Sequence, residues 1–208
     1  MSLLLIFIII SGLIYIVSEY VRAPKIKYFF KPLTTVLVII LAFQQVNDWN
    51  NTYAYLVIIG LLFSLIGDVF LMLPKDKFLH GLTTFLIAHL FFIVAIFTGL
   101  NSVNELVALI PIGLYTLLFL WKVLPKAKEN KLAVIIYSLI LMVFFWQASL
   151  YFYYFATLAA LNVFLGALFF VISDSLLAYS RFVKQSVYSV ALIHISYWAA
   201  LTYIALSI

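Results

Sequence analysis

At 208 residues, 67% hydrophobic and only 9% charged, with a mean hydropathy of +1.23, the chain is too apolar for a water-soluble domain, which is roughly half apolar and about a quarter charged. The net charge of +5 does not point to nucleic acid, because the basic residues sit in short segments between apolar runs, where they set membrane topology. The absence of cysteine excludes a disulfide framework and a thiolate metal site.

The composition and periodicity predict one all-α integral membrane domain over residues 1–208, a bundle of eight transmembrane helices. The spans are Leu3–Val21, Phe29–Val46, Thr52–Leu73, Phe78–Leu100, Glu105–Val123, Leu132–Leu150, Phe155–Tyr179 and Val187–Ser207, each near the roughly 17–25 residues that a crossing needs. The first run has no basic stretch ahead of it and no clear cleavage signal, so it reads as a retained helix and not a signal peptide. Arg22, Lys25, Lys27 and Lys31 fall between spans 1 and 2, and Lys75 and Lys77 between 3 and 4. Lys122, Lys126, Lys128 and Lys131 flank the loop between 5 and 6, and Arg181 and Lys184 lie between 7 and 8. All the lysines and arginines thus share one side, while the opposite loops carry Asp48 and Glu105. The positive-inside rule then places both termini away from the cytoplasm. Short loops and the lack of cysteine suit a bacterial inner membrane protein.

In chain order, the first residues with chemical content are Glu19, at the inner end of span 1, and Lys31, just ahead of Pro32 in span 2. Glu19 is either part of a site or an interfacial partner of Arg22 or Lys25. Lys31 either holds a lipid phosphate or is a positive-inside anchor. Span 3 contains Gly60, Ser64, Gly67 and Asp68, which at about 100° per residue fall on one helix face. A charged residue inside a membrane helix costs roughly 2.5–3.5 kcal/mol on insertion scales, so Asp68 requires a reason. In span 4, His89 lies mid-membrane, and His80 sits at the boundary. Span 7 carries Asn162, Gly166, Ala167, Ser173 and Asp174 on one sector, and span 8 carries His194.

Asp68 and Asp174 stand a similar number of residues before the basic end of their spans, so the two carboxylates share a depth. Paired carboxylates in a buried pocket suit general acid–base work; the alternative is that each hydrogen-bonds a neighbouring helix or pairs with Lys31. Ser64, His89 and Ser173 are candidate water-positioning groups. Tyr115 and Tyr137, inside spans 5 and 6, are candidates to reach the pocket with a hydroxyl. Tyr151, Tyr153 and Tyr154 fit an interfacial aromatic belt.

An internal repeat, residues 1–104 and 105–208, is suggested by Ile66-Gly67-Asp68-Val69-Phe70-Leu71 against Ile172-Ser173-Asp174-Ser175-Leu176-Leu177, by His89 against His194, and by Pro24-Lys25 against Pro125-Lys126. Two parallel four-helix halves would follow, although matches this short also arise by chance. No Walker loop, G-x-S-x-G elbow or H-E-x-x-H helix is present, and no spacing demands a metal.

Lys31-Pro32-Leu33-Thr34-Thr35, the Gly60–Leu71 stretch with Ser64 and Gly67-Asp68, Phe78…Gly81…Phe85…His89, and Gly166-Ala167…Phe170…Ser173-Asp174-Ser175 together resemble the YhhN-like lysoplasmalogenase family of eight-helix membrane proteins. The order and spacing of these pieces, from span 2 to span 7, carry the resemblance. One departure is Tyr197-Trp198-Ala199-Ala200, where the family pattern has Gln in place of Ala200; it weakens the expectation that the last helix contributes to the pocket. The resemblance implies hydrolysis of the vinyl ether of lysoplasmalogen to a fatty aldehyde and glycerophosphocholine or glycerophosphoethanolamine. Asp68 and Asp174 would be the acid–base pair, with no cofactor, a lysophospholipid substrate and membrane lipids as partners. Lys31 or Arg22 would hold the phosphate. A rival reading from another class makes the same two Asp residues ion-coupling sites of a proton- or cation-coupled transporter of small molecules or lipids. A third uses them only for helix packing in a scaffolding protein.

Overall fold

Inside a bilayer every backbone N–H and C=O must be satisfied within the protein, so long apolar runs become helices. The computed structural model describes residues 3–48, 50–99 and 109–208. Glu105, Leu100 and the predicted start of span 5 lie outside these residues. The described residues contain no strand and form eight α-helices: α1 (Leu3–Tyr20), α2 (Pro24–Gln45), α3 (Thr52–Met72), α4 (Phe78–Phe97), α5 (Leu109–Val123), α6 (Lys131–Phe155), α7 (Leu158–Phe182) and α8 (Ser189–Ala205). Two short 3₁₀ turns, Leu124–Lys126 and Lys128–Asn130, join α5 to α6. Counting the first 3₁₀ turn with α5, seven helical segments are long and apolar enough to cross a membrane, and α8 is apolar but shorter, at 17 residues.

Three helix ends differ from expectation, each for a local reason. α2 begins at Pro24, not Phe29; proline at the first helical position has its φ pre-set and lacks only an N–H that would be unpaired there. Lys25, Lys27 and Tyr28 therefore lie in helix and not in loop. α6 runs to Phe155, so Tyr151, Tyr153 and Tyr154 ride on its last turns. It stops at Ala156, which takes a left-handed φ of 47°. Thr157 then starts α7 by accepting the Ala160 N–H on its side-chain oxygen at 3.1 Å, a standard N-cap. At the head of α3, Asn51 plays the same part for the Tyr53 N–H at 3.0 Å.

α3 packs most extensively on α4, α7 on α8, and α1 on α2. Glycines allow the first two approaches. A Cβ on Gly67 would stand 2.7 Å from the Phe85 ring of α4, and one on Gly166 would stand 2.7 Å from Ile204 of α8. The core between the helices is aromatic, with Phe92, Phe144 and Phe170 fully buried around His89. α5 is held loosely: of its residues only Thr116, Leu120 and Val123 are buried.

Candidate active site

The face of α3 that carries Gly60, Ser64, Gly67 and Asp68 is buried as the spacing predicts. Asp68 itself is 1% exposed, and its carboxylate is satisfied from two other helices, α2 and α8. Lys31 of α2 places Nζ 3.6 Å from Oδ1. Thr35, one turn further along α2, donates its hydroxyl to Oδ2 at 2.6 Å, and Tyr197 of α8 donates to the same oxygen at 2.9 Å. Trp198 Nε1 in turn donates to Thr35 Oγ1 at 3.2 Å, so α2, α3 and α8 are tied through one carboxylate. The buried ammonium of Lys31, 5% exposed, has its charge balanced there.

Asp174 on α7 has a different setting. Its Oδ2 accepts the hydroxyl of Tyr137 from α6 at 2.6 Å, and His89 Nε2 from α4 stands 4.0 Å from the same atom. Among the described residues no lysine or arginine pairs with it. The Asp174 side chain keeps 13% of its surface accessible, because it faces open space on two sides.

That space consists of two adjoining cavities. One, of about 470 Å³, is polar and opens at the basic end of the bundle; Lys31, Asp68, Asp174, Tyr197, His194 and Ser173 are in its wall, and Lys75, Lys77 and Arg181 are at its mouth. The other, of about 500 Å³, lies between α4, α5, α6 and α7 and is lined almost entirely by apolar groups such as Leu82, Ile112, Phe119, Leu141 and Leu168. Leu71, Phe78, Phe85, Asp174 and Leu177 border both. Asp174 is the ionisable group at the seam, whereas Asp68 belongs to the polar cavity alone. A strap crosses the mouth: Arg181 at the end of α7 pairs with Asp76 in the α3–α4 loop. That bond, with the Phe78 N–H, holds the Asp76 carboxyl below its ordinary range.

The sequence profile of the YhhN family matches residues 26–208. The chain belongs to the YhhN family. It is 26% identical, over 71% of its length and 70% of the relative's, to an Escherichia coli protein named "Uncharacterized membrane protein YhhN". It is 30% identical, over 81% of its length and 70% of the relative's, to the Sus scrofa protein named "Lysoplasmalogenase TMEM86B". A Dictyostelium discoideum protein named "Lysoplasmalogenase homolog" is 32% identical over 48% of this chain and 36% of its own. No solved structure matches the chain.

Within this YhhN-family bundle not every residue singled out in the sequence reaches the two carboxyls. Asp68, Asp174, Lys31, Ser173 and Tyr137 meet around the polar cavity or its seam. Lys31 is committed to Asp68, and Arg22 is not in the cavity wall. Ser173 donates to the Ile193 carbonyl at 3.2 Å. Ser64 lies beneath Asp68 but spends its hydroxyl on the Gly60 carbonyl at 3.0 Å. Tyr115 does not reach either carboxylate: its hydroxyl meets Ser175 at 2.7 Å on the rim of the apolar cavity. Glu19 joins the wall of the polar cavity, where it accepts from Tyr15 and pairs with Lys27, 3.5 Å away, not with Arg22 or Lys25. His194 Nδ1 donates to the Val190 carbonyl and the ring packs between Tyr15 and Trp198.

Three participants escaped the sequence reading. Thr35 stood inside a quoted motif without a role. Tyr197 and Trp198 lie on the last helix, whose contribution the Ala200 departure had discounted. The structure corrects that expectation: Ala200 is fully buried against the core, and it is Tyr197, three residues earlier, that reaches Asp68.

Proposed function

We propose that this protein hydrolyses the vinyl ether of a lysoplasmalogen-type lipid, releasing a fatty aldehyde and a glycerophospho head group. One observation carries the reading. An ionisable carboxyl, Asp174, stands where a polar cavity meets an apolar one, and a second carboxyl, Asp68, stands in the polar cavity. A single-chain ether lipid has its vinyl ether at the same kind of seam, between a charged head and a hydrocarbon tail. The names of the Sus scrofa and Dictyostelium relatives favour the same chemistry.

The two carboxyls divide the work by their surroundings. Asp68 receives a cation and two hydroxyl donors, a setting that suits a carboxylate. Among the described residues Asp174 has one donor, no lysine or arginine partner and an apolar cavity beside it, a setting that suits the proton-bearing acid. Asp174 gives its proton to the outer alkene carbon; the C–H bond forms as the π bond breaks, and an oxocarbenium ion remains. The negative Asp68 faces that cation across the polar cavity, in the manner of carboxylate pairs in glycoside hydrolysis. Water adds to the cation and loses a proton to a carboxylate. The hemiacetal then collapses to aldehyde and the glycerol hydroxyl. Lys75 and Lys77 at the mouth, in place of Lys31, suit the phosphate. If the basic loops are cytoplasmic, as the positive-inside rule directs, the polar cavity opens to the cytoplasm and both termini lie opposite, with eight crossings.

The test is aldehyde release from purified lysoplasmalogen by the detergent-solubilised protein, with a saturated 1-acyl lysolipid as control. Aldehyde from the wild type, none from folded Asp68→Asn and Asp174→Asn, and no action on the control is the expected result. No aldehyde from well-folded wild type rejects the hydrolase and turns the two carboxyls toward ion coupling, which flux into sealed proteoliposomes then measures.

A further inference from the structure

Among the described residues two buried side-chain atoms lack a hydrogen-bond partner, His89 Nε2 and Gln147 Oε1. An orphaned buried polar atom is rare enough to require an account. His89 is 1% exposed, and its other ring nitrogen, Nδ1, lies 2.8 Å from the Phe85 carbonyl one turn back on α4. A carbonyl only accepts, so Nδ1 carries the hydrogen. In the neutral ring Nε2 is then a bare lone pair, and the group it faces is Asp174 Oδ2 at 4.0 Å. The ring is held in that pose from three sides by aromatic neighbours: Phe170 at 4.8 Å, Phe144 at 5.4 Å and Tyr137 at 5.6 Å between centroids. It keeps a fixed, empty acceptor trained on the carboxyl at the seam of the cavities.

We propose that His89 is a positioning residue for the acid: its Nε2 and the Asp174 carboxyl hold one proton between them, and it is from this pair that the proton leaves and to it that a proton returns. The inference rests on the vinyl-ether reading for its place in turnover, but the pairing itself does not. At rest the proton is on the carboxyl, facing a neutral ring, or on Nε2 as imidazolium beside a carboxylate. A movement of about 1 Å brings the two atoms to hydrogen-bond distance. Donation to the alkene carbon leaves carboxylate and neutral ring. When water adds to the oxocarbenium ion, the proton it sheds is taken up by the pair, and the acid is restored. The titratable groups around His89 are Asp174 from α7 and Tyr137 from α6; the rest of its contacts, Phe92 on α4, Phe144 on α6 and Phe170 on α7, are uncharged. Tyr137 fixes the carboxyl by donating to the same Oδ2.

The experiment has an activity arm and an arm that needs no activity. In the first, His89→Ala and His89→Gln are compared with wild type across pH. The expected result is a loss of about 100-fold or more in kcat, with KM little changed. The alkaline limb of the pH–rate profile should move to lower pH, because two sites hold a proton more tightly than one. Added imidazole should partly restore His89→Ala. A folded variant with wild-type kcat and profile, or with a lower kcat but an unmoved profile and no rescue, overturns the proposal. The second arm follows the His89 ring nitrogens by ¹⁵N NMR in wild type and Asp174→Asn. The expected result is an Nδ1–H tautomer whose titration changes when the carboxyl is removed; a titration indifferent to Asp174→Asn overturns the proposal. If wild type releases no aldehyde, the vinyl-ether reading fails and this second arm still decides the pairing.

Discussion

Asp68 and Asp174 occupy corresponding places in two similarly built helix pairs, and they end in opposite circumstances. In each pair a glycine, Gly60 or Gly166, lies two turns before the Asp and lets the next helix approach, through Phe92 or Ile204. Yet Asp68 is almost fully buried at the wall of the polar cavity, pairs with Lys31 and accepts from Thr35 and Tyr197, whereas among the described residues Asp174 accepts from Tyr137 alone and looks into two cavities. In the proposed mechanism the same side chain on the same kind of scaffold serves as a fixed anion in one place and a proton carrier in the other. The helices set where a carboxyl stands; its neighbours set which form it takes.

The largest effect that sharpens this contrast is catalytic. Asp174→Asn should lower aldehyde release by about 10³-fold or more, within the range for loss of a general acid, while thermal unfolding in detergent changes little; wild-type turnover would end the assignment. Asp68→Asn should do both kinds of damage. It leaves the buried Lys31 ammonium without its counter-charge, and breaking such a pair costs about 3–5 kcal/mol, read as a lower unfolding midpoint. Adding Lys31→Met should recover stability without activity. If the double variant is no more stable than the single one, the ion pair is not what holds α2 to α3. Tyr197→Phe removes a buried hydrogen bond to a charged acceptor and should cost about 1.5–3 kcal/mol. Tyr137→Phe should cost less stability and more kcat, since its partner is the proposed acid; equal behaviour of the two variants would blur the comparison. The smallest effect is at the mouth. Asp76 is exposed and its carboxyl is held low by Arg181, so the strap's contribution is intact above the ordinary value of 3.8 and fades as pH falls below it. Wild type and Asp76→Asn should converge in unfolding midpoint on acidification.

The helices were legible because apolar runs between short basic loops leave little freedom, and the site's charged members because Asp68, Asp174 and Lys31 are conspicuous in such a background. The tyrosines were not. With 14 of them in the chain and most serving packing or the interface, nothing in local spacing marks Tyr197 as the donor to a carboxylate 129 positions away. The start of α2 was hidden for a similar reason: Lys25, Lys27 and Tyr28 read as loop by charge, while Pro24 makes them helix by geometry. Tyr115 failed in the opposite direction. Its depth is suitable, but the phase of α5 directs its hydroxyl to Ser175 and not to the seam, and phase relative to a neighbouring helix is a tertiary quantity.

The meeting of a wet cavity and a greasy one at a single carboxyl bears on how a turnover ends. Cutting an amphiphile at its waist yields two fragments with opposite solubility, one with no reason to stay in water and the other with no reason to stay in lipid. Each would have its own exit, the aldehyde past the loosely held α5 into the bilayer and the head group through the basic mouth. Neither fragment alone would span both cavities as the proposed substrate would, so the act of cleavage would itself empty the site.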